Sequence, residues 1–505
     1  MFIALAASFV FTFVYGYAAA RSRYLERVLI PLLDVMQSVP VLGFLSITVT
    51  GFIALFPGSL LGLECASIFA IFTAQAWNMA FSFYQSLLTL PQDLQEATVA
   101  YRLPLWQRFV HLEVPAGMIG LIWNAMMSFG GGWFFLAASE AISVLNHQYT
   151  LPGIGSYVAT AVSASNMRAL GWAVLTMAVT IVIIDQLFWR PIVAWADKFR
   201  LEQNAAAQTP QSWVYDILRN ARIPRLMGRI WTPVGDIITG TLSACTPPRA
   251  PRAAPGPHAT VLDRIYSAAL VVAVVALIAA GFTFVLTTVG WAEVGKVALL
   301  GLATLTRVLI LIVFAAIVWT PIGVAIGLNP RLARVLQPVA LFLASFPANF
   351  IFPFATLAFI SYHIPINVGS ILLMALGAQW YILFNAIAGG ASIPTDLREM
   401  ADDESVHGWH RWRRLIIPAI FSSSVTGAIT ASGGAWNASI VSEVVTWGTT
   451  TLTATGLGAY VADATGKGDW PRITLGVGMM SIYVVVINRL LWRRLYALAE
   501  TKYHL

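Results

Sequence analysis

Leu90-Pro91-Gln92-Asp93-Leu94-Gln95-Glu96-Ala97 returns later in the chain as Ile393-Pro394-Thr395-Asp396-Leu397-Arg398-Glu399-Met400, 303 positions downstream. The same shift pairs Trp106 with Trp409, Pro115 with Pro418, Trp133 with Trp436, Glu140 with Glu443, Gly153 with Gly456, Tyr157 with Tyr460 and Trp189 with Trp492. Upstream the shift becomes 307, pairing Arg27 with Arg334, Pro31 with Pro338, Ser38 with Ser345 and Pro40 with Pro347, so an indel of four residues separates the two blocks. A register held across so many residue types is an internal duplication, which outranks any local motif as evidence of architecture. Both copies are hydrophobic, and two homologous membrane halves usually flank a transport pathway.

Composition names the solvent. Of 505 residues 58% are hydrophobic and only 10% charged, with a mean hydropathy of +0.75, whereas a soluble domain carries about 25% charged residues. Apolar runs near the roughly 20 residues that cross a bilayer occur at 2–20, 28–56, 58–86, 114–140, 168–189, 263–289, 298–328, 333–361, 366–390, 415–445 and 471–492. The expected fold is an all-α polytopic membrane protein with about 11 transmembrane helices in two tandem modules. The expected boundaries are 1–196 for a first module lacking its first span, 197–258 for a cytosolic linker, and 259–505 for the second module.

If both acidic repeats face the cytosol, 25 of the 30 Lys and Arg fall on that side, as the positive-inside rule requires. The basic pI of about 9.5 then reflects topology, and no nucleic-acid partner is expected. The second module opens with a span, 263–289, that has no counterpart before Met1. Two readings stand, a natural start at Met1 or one further upstream, and the second is the expectation. The first apolar stretch runs straight into Arg21, and no signal peptide is read. Cys65 and Cys245 fall in a span and in the linker; they are not expected to pair, and no metal-ligand spacing is present. In the linker, Trp213–Ile238 mixes apolar residues with Arg219, Arg222, Arg225 and Arg229 and reads as an amphipathic segment on the inner membrane face. The stretch from Thr246 to Pro257 is rich in Pro, Ala and Arg and reads as a semi-extended tether.

Each module follows one plan. An Arg-flanked run carries Ser-x-Pro (Ser38-Val39-Pro40; Ser345-Phe346-Pro347), where proline removes a backbone donor and bends or breaks the helix. A span with Trp77 or Trp380 follows, then the acidic segment, then a span opening at Pro115 or Pro418 with glycines before Trp133 or Trp436. An outer loop bearing Gly153-Ile154-Gly155 or Gly456-Leu457-Gly458 leads to the closing span.

Asp93-Leu94-Gln95-Glu96-Ala97 with Pro115, and its twin Asp396 to Ala401 with Pro418, resemble the EAA loop of ABC importer permeases, the inner-membrane components of binding-protein-dependent transport systems. The stretch Pro31 to Phe44, and Trp133 to Glu140 followed by Gly153 and Gly155, resemble the nitrate/sulfonate/taurine/bicarbonate branch. The resemblance implies the type I ABC importer fold and a bacterial inner-membrane location. It implies a coupling helix in each module that docks on a cytosolic ATPase, with Asp93, Glu96, Ala97, Arg102, Asp396, Glu399, Met400 and Ser405 in the coupling segments. Two copies of an ATPase subunit, or a heterodimer, would bind ATP and Mg; an extracytoplasmic binding protein would deliver solute; this chain would bind no cofactor itself. Two departures stand out. The glycine expected six residues after the glutamate is Arg102 in one copy and Ser405 in the other, and the two modules share one chain.

The candidate pathway residues are Gln37, Ser38, Trp77, Asn78, Trp133, Glu140, Ser345, Trp380, Trp436 and Glu443. The tryptophans read equally as cavity lining or as packing. Glu140 and Glu443 read as gate positions or as hydrogen-bonded residues pinning the outer loop; a carboxylate at mid-bilayer costs roughly 2.5–3.5 kcal/mol, and the second reading is preferred. Gln37, Ser38 and Ser345 offer neutral hydrogen bonds beside the helix break. Gly130–Gly132 and Gly433–Gly434 are expected at close helix contacts, and Arg307 is expected to snorkel at the outer interface.

No catalytic or metal-binding cluster is read, so this chain is not expected to be an enzyme. Gly466-Lys467-Gly468 lacks the remaining residues of a P-loop. The expected function is import of a small solute, an oxyanion such as nitrate, a sulfonate (taurine) or bicarbonate, by alternating access driven from separate ATPase subunits. The alternatives are a fused permease of the ferric-iron or thiamine type and an ion-coupled secondary carrier, which would want midplane ionisable residues and inverted repeats.

Overall fold

The computed structural model describes residues 1–38, 41–57, 59–144, 147–199, 212–221, 239–243 and 257–502. The duplication recurs element by element. Helices Gln92–Ala100 and Thr395–Asp403 correspond, as do the π-helical turns Phe109–Glu113 and Trp412–Ile416 and the long helices Val114–Glu140 and Ile417–Ser442. Beyond them come paired hairpins, Ala141–Val144 with His147–Thr150 and Val444–Trp447 with Thr450–Thr453. Helices Ile154–Ser163 and Leu457–Lys467 follow, then Met167–Ile184 and Trp470–Ile487. Apart from the two hairpins the described chain is helical, as the apolar runs demand: a backbone in lipid must satisfy its own polar groups.

Among the described residues eight helices are long and apolar enough to cross a membrane: Phe2–Arg21, Leu105–Glu140, Met167–Phe199, Arg264–Thr288, Trp291–Leu328, Ile366–Ala391, Gly408–Ser442 and Trp470–Ala499. Three other expected runs differ. Leu61–Leu88 is one helix of 28 residues, made less apolar by Gln75, Asn78 and Gln85. The run 28–56 divides into Arg23–Ser38 and Val41–Leu55, and 333–361 into Pro330–Ser345 and Phe352–Ser361 with a short 3-10 turn between. The second break falls at Ser345-Phe346-Pro347; in the first module Val39 and Pro40 lie outside the described residues. Phe346, before Pro347, sits at φ −73° and ψ 128°, the extended conformation that a following proline imposes. The run 298–328 begins earlier, as one helix of 38 residues, Trp291–Leu328, roughly 57 Å long at 1.5 Å per residue.

The chain packs as two units. The first comprises residues 1–34, 72–130 and 178–280. In it Gly16 lets the first helix approach Ala80, Phe83 and Tyr84 closely, and Phe13, Phe83 and Phe109 meet edge to face. The buried Glu113 carboxylate pairs with Arg21 and, at 2.8 Å, with Arg108.

The second unit comprises 35–71, 131–177 and 281–505. Helices Trp291–Leu328 and Ile366–Ala391 meet through small residues: a Cβ on Gly323 would lie 2.6 Å from the Ala386 Cβ, and one on Gly390 3.1 Å from Val324 Cα. This is the small-xxx-small contact of membrane helices. The glycines expected at such contacts behave differently: nothing lies within 4 Å of a Cβ on Gly131 or Gly433, while Gly434 meets the Tyr381 ring at 3.0 Å.

Helix Trp213–Asn220 is capped by Ser212 Oγ, which accepts from the Tyr215 amide at 3.3 Å, and leaves Trp213, Ile217 and Leu218 exposed. The rest of the expected amphipathic segment through Ile238 and nearly all of the Pro-rich tether lie outside the described residues.

Candidate functional site

The acidic repeats fold into short helices, Gln92–Ala100 and Thr395–Asp403, each preceded by proline and carrying an aspartate, Asp93 or Asp396, in its first turn, where a negative charge suits the helix dipole. Each ends in the same turn. Leu103 N bonds to Thr98 O at 3.0 Å and Arg102 N to Val99 O at 3.0 Å; Val406 N bonds to Ala401 O at 2.8 Å and Ser405 N to Asp402 O at 3.1 Å. The turn holds Arg102 at φ 50° and Ser405 at φ 52°, the left-handed region that only glycine enters freely. The two departures from the glycine pattern therefore keep its backbone.

One face of each helix stays in solvent. Asp93, Glu96 and Arg102 are exposed, as are Asp396, Glu399, Met400 and Ser405, while Ala97 is half-buried. The other face is anchored. In the first segment Gln95 Nε2 donates to Leu90 O at 3.0 Å and Gln95 Oε1 accepts from Arg108 at 3.3 Å, and Arg108 reaches Glu113 inside the π-helical turn. In the second, Ala401 is buried and Asp402 pairs with Arg411. A π turn inserts one extra residue and often marks a functional position. Here it joins each short helix to a long span at Pro115 or Pro418, whose missing donor breaks the regular ladder.

The outer carboxylates explain the glycine motif that follows them. Glu443 is fully buried. Its Oε1 accepts from Thr304 Oγ1 and from Arg307 Nη1, both at 2.7 Å, and its Oε2 accepts from Ala459 N at 3.0 Å. Arg307 also donates to Asn367 Oδ1 at 2.7 Å, to Thr455 O at 2.8 Å and to Asn367 O at 3.2 Å. Thr304 Oγ1 in turn accepts from Leu457 N at 2.8 Å. A Cβ on Gly456 would occupy the space of the Glu443 carboxylate, and one on Gly458 would stand 2.5 Å from the Ser439 carbonyl carbon. Gly-Leu-Gly is thus the surface on which the carboxylate lies. Glu140 repeats the arrangement: it is buried, its Oε2 accepts from Gly155 N at 2.5 Å, and Gly153 packs against its carboxyl.

Arg307 is not the interface anchor expected of it. Its side chain is 8% exposed, because a cation inside an apolar helix is retained where a buried carboxylate and carbonyls surround it. On the same outer side Tyr460 Oη donates to Glu293 Oε1 at 3.2 Å, and burial together with that carboxylate pushes the phenol pKa upward.

The remaining pathway candidates are dispersed. Trp436 is fully buried and stacks on Tyr483 at 6.1 Å; Trp133 is 7% exposed. Trp380 donates to Leu376 O and lies 5.7 Å from Trp319, and Trp77 meets Phe11 edge to face. Asn78 is exposed; Gln37 and Ser345 are half-buried. The Ser38 side chain lies outside the described residues. Thr304, Asn367, Gln75 and Glu113 were missed in the sequence. The signal for Gln75 was a polar residue deep in an apolar run: it is fully buried, and neither amide atom has a partner among the described residues.

Parts of this chain are similar in sequence to known proteins. A stretch of 192 residues is 30% identical to the bicarbonate transport system permease protein CmpB of Synechococcus elongatus, covering 38% of this chain and 64% of that protein. Another of 188 residues is 24% identical to the nitrate import permease protein NrtB of Leptolyngbya laminosa, covering 37% and 64%. The chain therefore spans 64% of the length of these relatives. The family of binding-protein-dependent transport system inner membrane components matches twice, over residues 12–188 and 319–495. Those matches take in both acidic segments, both Ser-x-Pro sequences and both outer carboxylates: the chain belongs to this family of ABC transporter permeases, as an inner-membrane component with two permease modules in one polypeptide.

Proposed function

We propose that the chain is the two-module permease of an ATP-driven importer. It takes a small oxyanion, of the nitrate, sulfonate or bicarbonate class, from an extracytoplasmic binding protein and releases it in the cytosol by alternating access. Two ATPase subunits, identical or different, dock on helices Gln92–Ala100 and Thr395–Asp403 and carry the ATP and Mg; the permease itself performs no chemistry. The observation that carries this reading is the matched pair of short helices, each with an exposed acidic face, a left-handed exit turn and a π-helical joint to a long span. A short helix held so firmly on one side transmits a push on its other side to the span behind it. The relatives' names, bicarbonate and nitrate permeases, support the substrate class.

The test is reconstitution of the chain with its ATPase subunits and binding protein in liposomes. Solute uptake should require ATP, the binding protein and both acidic helices. Uptake driven by a proton or sodium gradient without ATP would replace this reading with a secondary carrier.

A further inference from the structure

Two ion pairs of the first unit bridge π-helical turns in the same way. Arg108 Nε donates to Glu113 Oε1 at 2.8 Å across Phe109–Glu113, and Arg190 Nε donates to Asp185 Oδ2 at 3.1 Å across Asp185–Trp189. The partners are five positions apart in each case. At 3.6 residues per turn an α-helix sets such residues on different faces, whereas the i→i+5 repeat of a π turn brings them together. The extra residue ahead of Pro115 thus sets a carboxylate beside a guanidinium.

That guanidinium also holds the short acidic helix Gln92–Ala100. Arg108 Nη2 donates to Gln95 Oε1 at 3.3 Å and Gln95 Nε2 donates to Leu90 O at 3.0 Å, so both ends of the amide are engaged and its orientation is fixed. Arg21, the last residue of helix Phe2–Arg21, pairs with the same Glu113 oxygen. Glu113 and Arg108 are both buried. Two guanidiniums on one oxygen repel each other, and the carboxylate between them offsets that repulsion.

The duplication keeps the arginine and moves the acid. Arg411 corresponds to Arg108 under the 303-residue shift and likewise reaches its own short helix, through Asp402. Asp402 corresponds to Val99, however, and Glu113 corresponds to Ile416. Under the 307-residue shift Arg21 corresponds to Leu328. Ile416 and Leu328 belong to one apolar cluster with Val324 and Ile393, so hydrocarbon in the second module stands where the first has its ion pair.

We infer that Arg108 and Arg411 are positioning residues for coupling. Each clamps its short helix to the stem of the long span behind it, and Glu113 and Asp402 are alternative carboxylates for the same clamp. The inference rests on the import reading above and deepens it. A short helix without its clamp still presents its exposed face to the ATPase, but it swings in place and the push does not reach the span. Hydrolysis then continues while transport fails.

The experiment uses the full chain with its ATPase subunits and binding protein in liposomes, measuring ATP hydrolysed and labelled hydrogencarbonate or nitrate taken up. Arg21→Leu/Glu113→Ile installs the second module's apolar pair. Such replacement of a buried ion pair is often neutral or stabilising, so this variant should fold and retain its ATPase. Its uptake per ATP should fall about tenfold, near the effect of losing one hydrogen bond to a charged group. Adding Val99→Asp, which supplies the acid that Arg411 uses, should restore most of the ratio; a purely structural Glu113 predicts neither the fall nor the rescue. Gln95→Met, which cuts the hold on the short helix and leaves Glu113 with both arginines, should lower the same ratio, and it decides the matter if the double variant does not fold. Wild-type uptake per ATP in the folded double variant or in Gln95→Met, or a triple variant no better than the double, overturns the inference and leaves the import reading standing. Absence of ATP-dependent uptake of either probe by wild type defeats the import reading itself, and the clamp with it.

Discussion

Replacing Arg307 by methionine removes four hydrogen bonds in one step: one to Glu443, two to Asn367 and one to Thr455. The Glu443 carboxylate keeps Thr304 Oγ1 and Ala459 N, but it loses its counter-charge while fully buried. Removing one partner of a buried pair costs about 3–5 kcal/mol, most of it the penalty for the stranded charge. At roughly 2–4 °C per kcal/mol for a module of this size, Arg307→Met should lower Tm by about 6–20 °C. The double variant Arg307→Met/Glu443→Gln has no charge to strand, and the glutamine oxygen still accepts from Thr304 or Ala459. It should recover at least half of the loss, so a double-mutant cycle should read a coupling energy of at least about 1.5 kcal/mol. Tryptophan fluorescence during thermal unfolding of the purified chain in detergent supplies all four corners. A single variant within about 2 °C of wild type, or a double variant whose loss is the sum of its parts, would refute the argument that Arg307 and Glu443 form one buried knot.

Further outcomes follow from the same geometry. Gly155→Ala and Gly458→Ala should each cost about 1–3 kcal/mol through overpacking, because the new Cβ would stand 2.5 Å from Ala137 O and from the Ser439 carbonyl carbon; unchanged Tm would show that the outer loop yields freely. Arg102→Gly and Ser405→Gly should leave stability unchanged or raise it by about 1 kcal/mol, since relief of the left-handed conformation outweighs or matches the added freedom of the unfolded chain; a clear loss in the same thermal assay would mean that the side chains hold the turn. Glu399→Ala, on an exposed face, should keep Tm within about 2 °C, as surface changes do, while ATP hydrolysis stimulated by the binding protein falls at least tenfold. Full stimulation would remove Glu399 from the coupling surface.

Much of this architecture was legible because duplication repeats its punctuation. Ser-Phe-Pro marked where the second module's apolar run breaks, and the helix ends there. Glu443 and Gly456-Leu457-Gly458 stood out as repeated residues, and the structure joins them through a carboxylate resting on glycine backbone. What could not be read was partnership across distance. Arg307 is 136 positions from Glu443, and nothing local distinguishes a lysine or arginine that snorkels from one that is paired. The π-helical turns likewise leave no periodicity to detect over five residues, although the prolines just after them, Pro115 and Pro418, are a trace. Glu113 carried no signal because its twin is Ile416: repetition exposes what the halves share and hides what only one possesses.

The most direct measurement places a photo-reactive amino acid at Glu96 and, separately, at Glu399, in inverted membrane vesicles containing the whole transporter. Both positions should capture a nucleotide-hydrolysing subunit, and the yield should change when ATP is added. Capture at only one position, at neither, or reactivity of the two positions from opposite sides of the membrane would contradict the account of two parallel modules driven through paired cytosolic helices.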